Sequence, residues 1–231
     1  PDILNTAIAL STDGTAAIFG SSATNLVPED TNNATGPYPY SVEAGFDLFV
    51  VPITTLPFDD ISDSIFADDI VWLLEEQITR GCNPEGTLFC PSDPVTRGQM
   101  AAFLNRALDL PLPPSGDRFS DDDGMFESDI EALAAAGITL GCNAEGTLFC
   151  PSDPVTRGQM AAFLARALDL ADGAVNTFVD DDGSTFEADI AKIAEAGITE
   201  GCSSDGTRFC PLDPVTRGQM AAFLHRALAT D

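Results

Sequence analysis

Apolar positions recur with two different periods along the chain. From residue 56 onward the spacing is helical. Met100, Phe103, Leu104, Ala107 and Leu108 form one stripe, and Phe126, Ile130, Leu133 and Ala134 form another, at intervals of three and four. Each stripe predicts an amphipathic helix. Upstream, "TAIALS", "TAAIFG" and "FDLFVVPI" are short runs rich in β-branched and aromatic residues. They are separated by "TDG" and by the polar stretch "ATNLVPEDTNNATGPYPYSVEAG", and they read as about three strands. A sheet of that size is marginal alone.

The helical pattern is written three times. "CPSDPVTRGQMAAFL" begins at Cys90 and at Cys150, and returns at Cys210 as "CPLDPVTRGQMAAFL". The step is also kept by Cys82, Cys142 and Cys202 and by Ile70, Ile130 and Ile190. Each copy opens on Phe-x-Asp (Phe58, Phe119, Phe178) and continues into a first helix that stops at Gly137 or Gly197, or at Gln77 in the first copy. A loop follows that turns at "PEG", "AEG" or "SDG". The second helix starts at Thr96, Thr156 or Thr216, with glutamine three residues later, which is the capping-box pattern. Ser184 and Glu187 fit the same pattern before the first helix of the third copy. A pair of amphipathic helices cannot enclose a core, whereas three pairs around a shared centre can. The expected organisation is α+β: a β-rich segment 1–55, then repeats at 56–112, 117–171 and 176–230, joined by "PLPPSG" and "ADGA".

Composition narrows the function. Hydrophobic residues are 44% and charged residues 20% of 231, as in a globular protein. Asp and Glu number 37 against 10 Lys and Arg, a net charge of −27, and Lys192 is the single lysine. Such a polyanion repels nucleic acid and anionic lipid. No apolar run approaches the roughly 18 residues of a membrane span, so neither nucleic acid nor membrane insertion is expected. No signal peptide is seen, and the opening "PDILNTAIAL" reads as the middle of a sequence, so a mature or truncated piece of an exported precursor is expected.

The cysteines fall into pairs, Cys82/Cys90, Cys142/Cys150 and Cys202/Cys210, all with one spacing. There is no CxxC and His225 is the single histidine, so local disulfides are expected over zinc. Each would contribute about 2–3 kcal/mol. His225 stands where the sister copies have Asn105 and Ala165, and it reads as an exposed helix position.

No nucleophile–base grouping, phosphate loop or metal-hydrolase motif is present, and an enzyme is not expected. The acid runs "DDDGMFESD" and "DDDGSTFEAD" offer oxygen ligands for Ca²⁺, with Asp121, Asp123, Asp180 and Asp182 as candidates; no other cofactor is expected. Asp30, Asn32 and Asp47 are a second calcium candidate. Arg97, Arg157 and Arg217 each sit in the first turn of a helix, where a cation opposes the macrodipole. An anion held jointly by the arginine and the free N–H groups would explain that placement. An internal salt bridge to Asp93, Asp153 or Asp213, or to the aspartate that opens a repeat, is the alternative.

The string "VTRGQMAAFL.RAL", with the opening Phe-x-Asp, the "GIT.G" turn and the "GT.F.P" loop, resembles the S-layer homology (SLH) domain family over about residues 56–230. That family's usual Thr-Arg-Ala-Glu is here Thr-Arg-Gly-Gln. Its usual tryptophan near the start of the first helix is matched by Phe66, Phe126 and Phe186, and the cysteine pair is an addition. The resemblance implies a pseudo-threefold, mainly helical domain that tethers exported bacterial proteins to an acidic cell-wall polysaccharide at the cell surface. The glycan-binding set would be Arg97, Arg157 and Arg217 with Asp60, Asp121 and Asp180. A second reading is a self-assembling S-layer or filament subunit, a homo-oligomer paired through the N-terminal strands. The front segment resembles part of one blade of a secreted TolB/WD40-like β-propeller, through Ser11–Gly14, Ser22–Pro28 and Phe46–Val50.

Overall fold

The computed structural model describes residues 9–10, 16–21, 47–52, 56–111, 117–173 and 178–229. The chain divides into two compact segments, Pro1–Thr55 and Leu56–Asp231. In the first, strands β1 (Ala9–Leu10), β2 (Ala16–Ser21) and β3 (Asp47–Pro52) pair antiparallel in the order β1-β2-β3, with Ile18 opposite Ala9 and Val50. The expected strands are therefore present. Asp30 and Asn32 lie outside the described residues, as does most of the stretch that carries the propeller resemblance.

Among the described residues the second segment holds six helices: α1 (Ala67–Glu75), α2 (Arg97–Leu108), α3 (Glu127–Ala135), α4 (Arg157–Ala167), α5 (Glu187–Glu195) and α6 (Arg217–Leu228). The helices do not pack in the pairs that the sequence order suggests. The second helix of each repeat lies on the first helix of the next: α2 on α3, α4 on α5, and α6 back on α1. The repeats thus close into a ring.

The closure is visible at the centre. The Val95 N–H donates to the Val215 carbonyl, Val215 to Val155, and Val155 to Val95, each at 2.9 Å. All three valines are fully buried. Each repeat's central donor therefore finds its acceptor in a different repeat, and a buried unpaired N–H is costly. This is why a single helix–loop–helix unit cannot stand alone. Around this centre Phe58, Phe119 and Phe178 pack on Phe89, Phe149 and Phe209, with ring centroids 5.4–5.6 Å apart. Met100, Met160 and Met220 fill the same core.

Local signals behave largely as their chemistry demands. Gly137 and Gly197 end α3 and α5 in the left-handed region, and Gln77 adopts the same conformation after α1 at φ 60°. Thr96, Thr156 and Thr216 complete their capping boxes with Gln99, Gln159 and Gln219. Replacing Thr156 by alanine is expected to lower stability by about 1 kcal/mol in a denaturant titration. The box expected at Ser184 does not form. The N-cap of α5 is Phe186, and Ser184 instead receives the Phe186 N–H within the preceding turn, while Glu187 turns back to the Gly183 N–H.

Candidate functional site: the boundaries between repeats

The capped second helices place Arg97, Arg157 and Arg217 at their first residues. All three side chains are buried, and each enters the next repeat around the ring. Arg97 Nε donates to the Phe149 carbonyl, Arg157 Nε to Phe209 and Arg217 Nε to Phe89, at 2.6–2.7 Å. Arg157 Nη2 also reaches the Gly201 carbonyl and Arg217 Nη2 the Gly81 carbonyl, whereas Arg97 Nη2 has no partner. Each guanidinium lies over two rings of that next repeat. Arg97 covers Phe149 and Phe163, Arg157 covers Phe209 and Phe223, and Arg217 covers Phe89 and Phe103. Burial pulls each guanidinium pKa down, while Asp153 and Asp121 oppose this at Arg97, Asp213 and Asp180 at Arg157, and Asp93 and Asp60 at Arg217.

Asp60, Asp121 and Asp180 hold the other side of the same loops. Asp121 accepts the Phe149 and Cys150 N–H groups at 2.6 and 2.8 Å, and Asp60 and Asp180 do the same at Phe89/Cys90 and Phe209/Cys210. At Asp180 burial works against ionisation, but these N–H groups and Arg208 outweigh it and hold its pKa below the ordinary value. The peptide between Phe149 and Cys150 therefore has its carbonyl on a cation and its N–H on a carboxylate. The arginine–aspartate link is made through a peptide group, with its dipole aligned between the charges. It also holds Cys90, Cys150 and Cys210 in the left-handed region at φ 58°, a conformation that costs a non-glycine residue about 1–3 kcal/mol. The disulfides Cys82–Cys90, Cys142–Cys150 and Cys202–Cys210 fasten the same turn, as the spacing predicts. Although Asp121 and Asp180 lie beside these sulfurs, a disulfide has no thiolate to give a metal.

Open clefts lie over two of the boundaries. One, of about 650 Å³, runs between the start of α6 and the opening loop of repeat 1, and its lining includes Asp59, Asp60, Asp63, Ile65, Phe66, Ser92 and Gln219. The other, of about 370 Å³, is its counterpart between repeats 1 and 2, lined by residues including Gln99, Asp122, Asp123, Met125, Phe126 and Ser152. Ile65 and Met125 stand exposed on the rims. No arginine or lysine is among the lining residues. Of the residues expected from the sequence, Asp60 and Asp123 line these clefts, and Arg97 and Arg217 are not among the lining residues.

A contact that sequence reasoning missed shapes both clefts. A Cβ on Gly98 would lie 2.5 Å from Phe126 Cδ2, one on Gly158 would lie 2.6 Å from Phe186 Cδ2, and one on Gly218 would lie 2.5 Å from Phe66 Cδ2. The glycine of "TRGQ" and the phenylalanine that opens a first helix are partners across a boundary. Both departures from the family string were legible, but nothing in one sequence joined them. At the closing boundary His225 is not the exposed position expected. Its Nδ1 lies 2.7 Å from Asp69 Oδ1, and its ring stacks on Trp72. Asn105 meets Asp129 at the equivalent place.

A ring of capped helix–loop–helix repeats, locked by buried arginines, is a repeat architecture with no catalytic constellation among the described residues. The S-layer homology domain family matches residues 118–161 and 177–221. SLH repeats are cell-wall-binding modules of surface-located proteins. The match covers two repeats, not the three expected. Repeat 1 departs where Gln77 replaces the helix-ending glycine and Ile61 replaces an aspartate, yet it keeps the disulfide loop, the capped helix and the boundary arginine. The chain is also 34% identical over 113 residues to an endoglucanase of Bacillus sp. (strain KSM-635), covering 48% of this chain and 12% of that protein. It is 28% identical over 184 residues to exoglucanase XynX of Acetivibrio thermocellus, covering 75% of this chain and 16% of that protein. It therefore spans a small part of these curated relatives. No helix among the described residues is long and apolar enough to cross a membrane.

Proposed function

We propose that residues 56–230 are a non-catalytic anchoring module that binds a cell-wall polysaccharide in the clefts between repeats. The observation that carries this reading is the recurrence of one cleft at equivalent boundaries, each with one wall built by repeat 1 and the other by a repeat matched to a wall-binding family. Both clefts combine an aromatic edge, an apolar rim residue, a side-chain amide and hydroxyls, groups that suit a sugar's mixed apolar and polar surface. The carboxylates alongside favour the hydroxyl-bearing stretches of an acidic polymer over its charged groups. Arg97, Arg157 and Arg217 act as positioning residues, fixing the loops that form the cleft floors. The enzymatic activity named for the two relatives then belongs to parts of those proteins that this chain does not span.

Adsorption to purified wall sacculi tests the reading, with sacculi stripped of their acidic polymer as the second arm. Ser92→Trp with Ser152→Trp, which fills both clefts, is expected to weaken adsorption at least tenfold and leave the melting temperature within about a degree. Wild-type adsorption by that variant refutes the cleft assignment. Concentration-dependent self-association without adsorption would favour the assembly reading instead.

A further inference from the structure

The middle aspartate of "DDD" in repeat 2 is not one of the calcium candidates taken from the sequence, yet it is the one the fold buries. Asp122 is 3% exposed and its Oδ2 has no hydrogen-bond partner. Glu131 of α3, 8% exposed, lies against it, and Asp117 completes a group in which one carboxylate oxygen from each residue lies within 4.8 Å of the other two. Oxygens that close can share one Ca²⁺ ion at about 2.4 Å each. Glu131 Oε1 accepts the Arg118 N–H, which leaves capacity for a cation on the same carboxylate.

The sister repeats show that the fold does not need these acids. Counting from the opening phenylalanine and from the shared isoleucine of the first helix, the Asp122 and Glu131 positions are Ile61 and Val71 in repeat 1. Ile61 is fully buried there. An apolar pair fills the place without electrostatic cost, so two facing carboxylates call for a partner that apolar residues would not bind. In repeat 3 the positions are Asp181, also buried with an unpartnered oxygen, and Ala191, so the second buried ligand is missing.

We propose that Asp117, Asp122 and Glu131 bind a Ca²⁺ ion that fastens the opening of repeat 2 to α3. Three oxygen donors with an exposed side suit a hard cation that fills its remaining positions with water. Asp122 also lines the cleft between repeats 1 and 2, but the calcium readout involves no wall material and so is judged apart from the glycan reading.

The test uses the full chain stripped with chelator and titrated with CaCl₂ in a calorimeter. One saturable site is expected, with a Kd of about 10⁻⁴–10⁻³ M as in extracellular modules. Ca²⁺ at ten times Kd should raise the melting temperature by about 4 °C. Asp122→Ile with Glu131→Val, the pair already used by repeat 1, is expected to abolish both effects. Glu131→Gln, which keeps the shape, is expected to weaken binding at least fivefold. An absence of saturable heat up to 10 mM, or an undiminished response in Glu131→Gln or in the double variant, overturns the assignment.

Discussion

Replacing Arg97, Arg157 and Arg217 together by lysine is expected to destabilise the repeat domain by about 6 kcal/mol, at about 2 kcal/mol for each site. Arg157 and Arg217 each lay a planar guanidinium between two phenylalanine rings and reach two carbonyls of the next repeat. Lysine keeps the charge but loses the fork and the flat face, so it leaves a buried carbonyl short of a donor. The carbonyl at stake belongs to the peptide that precedes a cysteine held at φ 58°, so its loss also loosens a strained turn. The single variants should rank: Arg97 makes one fewer of these bonds than its sisters, so Arg97→Lys should cost least. Urea denaturation of the three single variants and the triple variant measures this. A triple variant as stable as the wild type that fails to adsorb to sacculi would return the arginines to the direct glycan-binding role drawn from the family resemblance.

How much of this was legible in the sequence depends on the range of the interaction. The capping threonines, the helix-ending glycines and the cysteine pairs all act within about ten residues, and spacing located them. The arginines were found as well, because a cation at a helix start is locally unfavourable and so asks for a reason. Their partners were not legible. Phe149, Phe209 and Phe89 belong to other repeats, and periodicity states that repeats pack without stating which faces meet. The exchange of helix partners around the ring is the same kind of information. Asp122 shows the limit in another way. Within "DDD" nothing marks the middle residue as the buried one; the signal lies in the sister repeat, where Ile61 stands at the same offset from the opening phenylalanine. His225 misled for a related reason. Its variation among the repeats suggested a free surface, whereas His225 and Asn105 each make a boundary contact of their own.

Gly98→Ala, Gly158→Ala and Gly218→Ala are expected to destabilise by about 2 kcal/mol each, reversing the usual sign. Glycine within a helix ordinarily costs about 1 kcal/mol relative to alanine, so intrinsic propensity predicts a gain. Here the added methyl would sit 2.5–2.6 Å from a ring carbon of Phe126, Phe186 or Phe66. The backbone cannot retreat, because the N–H groups of Gly98, Gly158 and Gly218 are bonded at 2.9 Å to Pro151, Pro211 and Pro91 of the next repeat. The ring must therefore move. At Gly158 and Gly218 the methyl also meets the proline carbonyl at 3.1 Å, which adds to the strain there. A double-mutant cycle isolates the contact: in a Phe126→Leu background, Gly98→Ala should cost far less than in the wild type. A rise in stability for Gly98→Ala alone would show that the ring yields freely and that the glycine is there for some other reason. The same experiment reaches the function proposed, because Phe66 and Phe126 line the two clefts. If the ring is displaced into the cleft, adsorption to sacculi should fall in Gly98→Ala and Gly218→Ala at temperatures where both variants remain folded. Gly158→Ala strains the boundary between repeats 2 and 3 in the same way and should likewise lose stability.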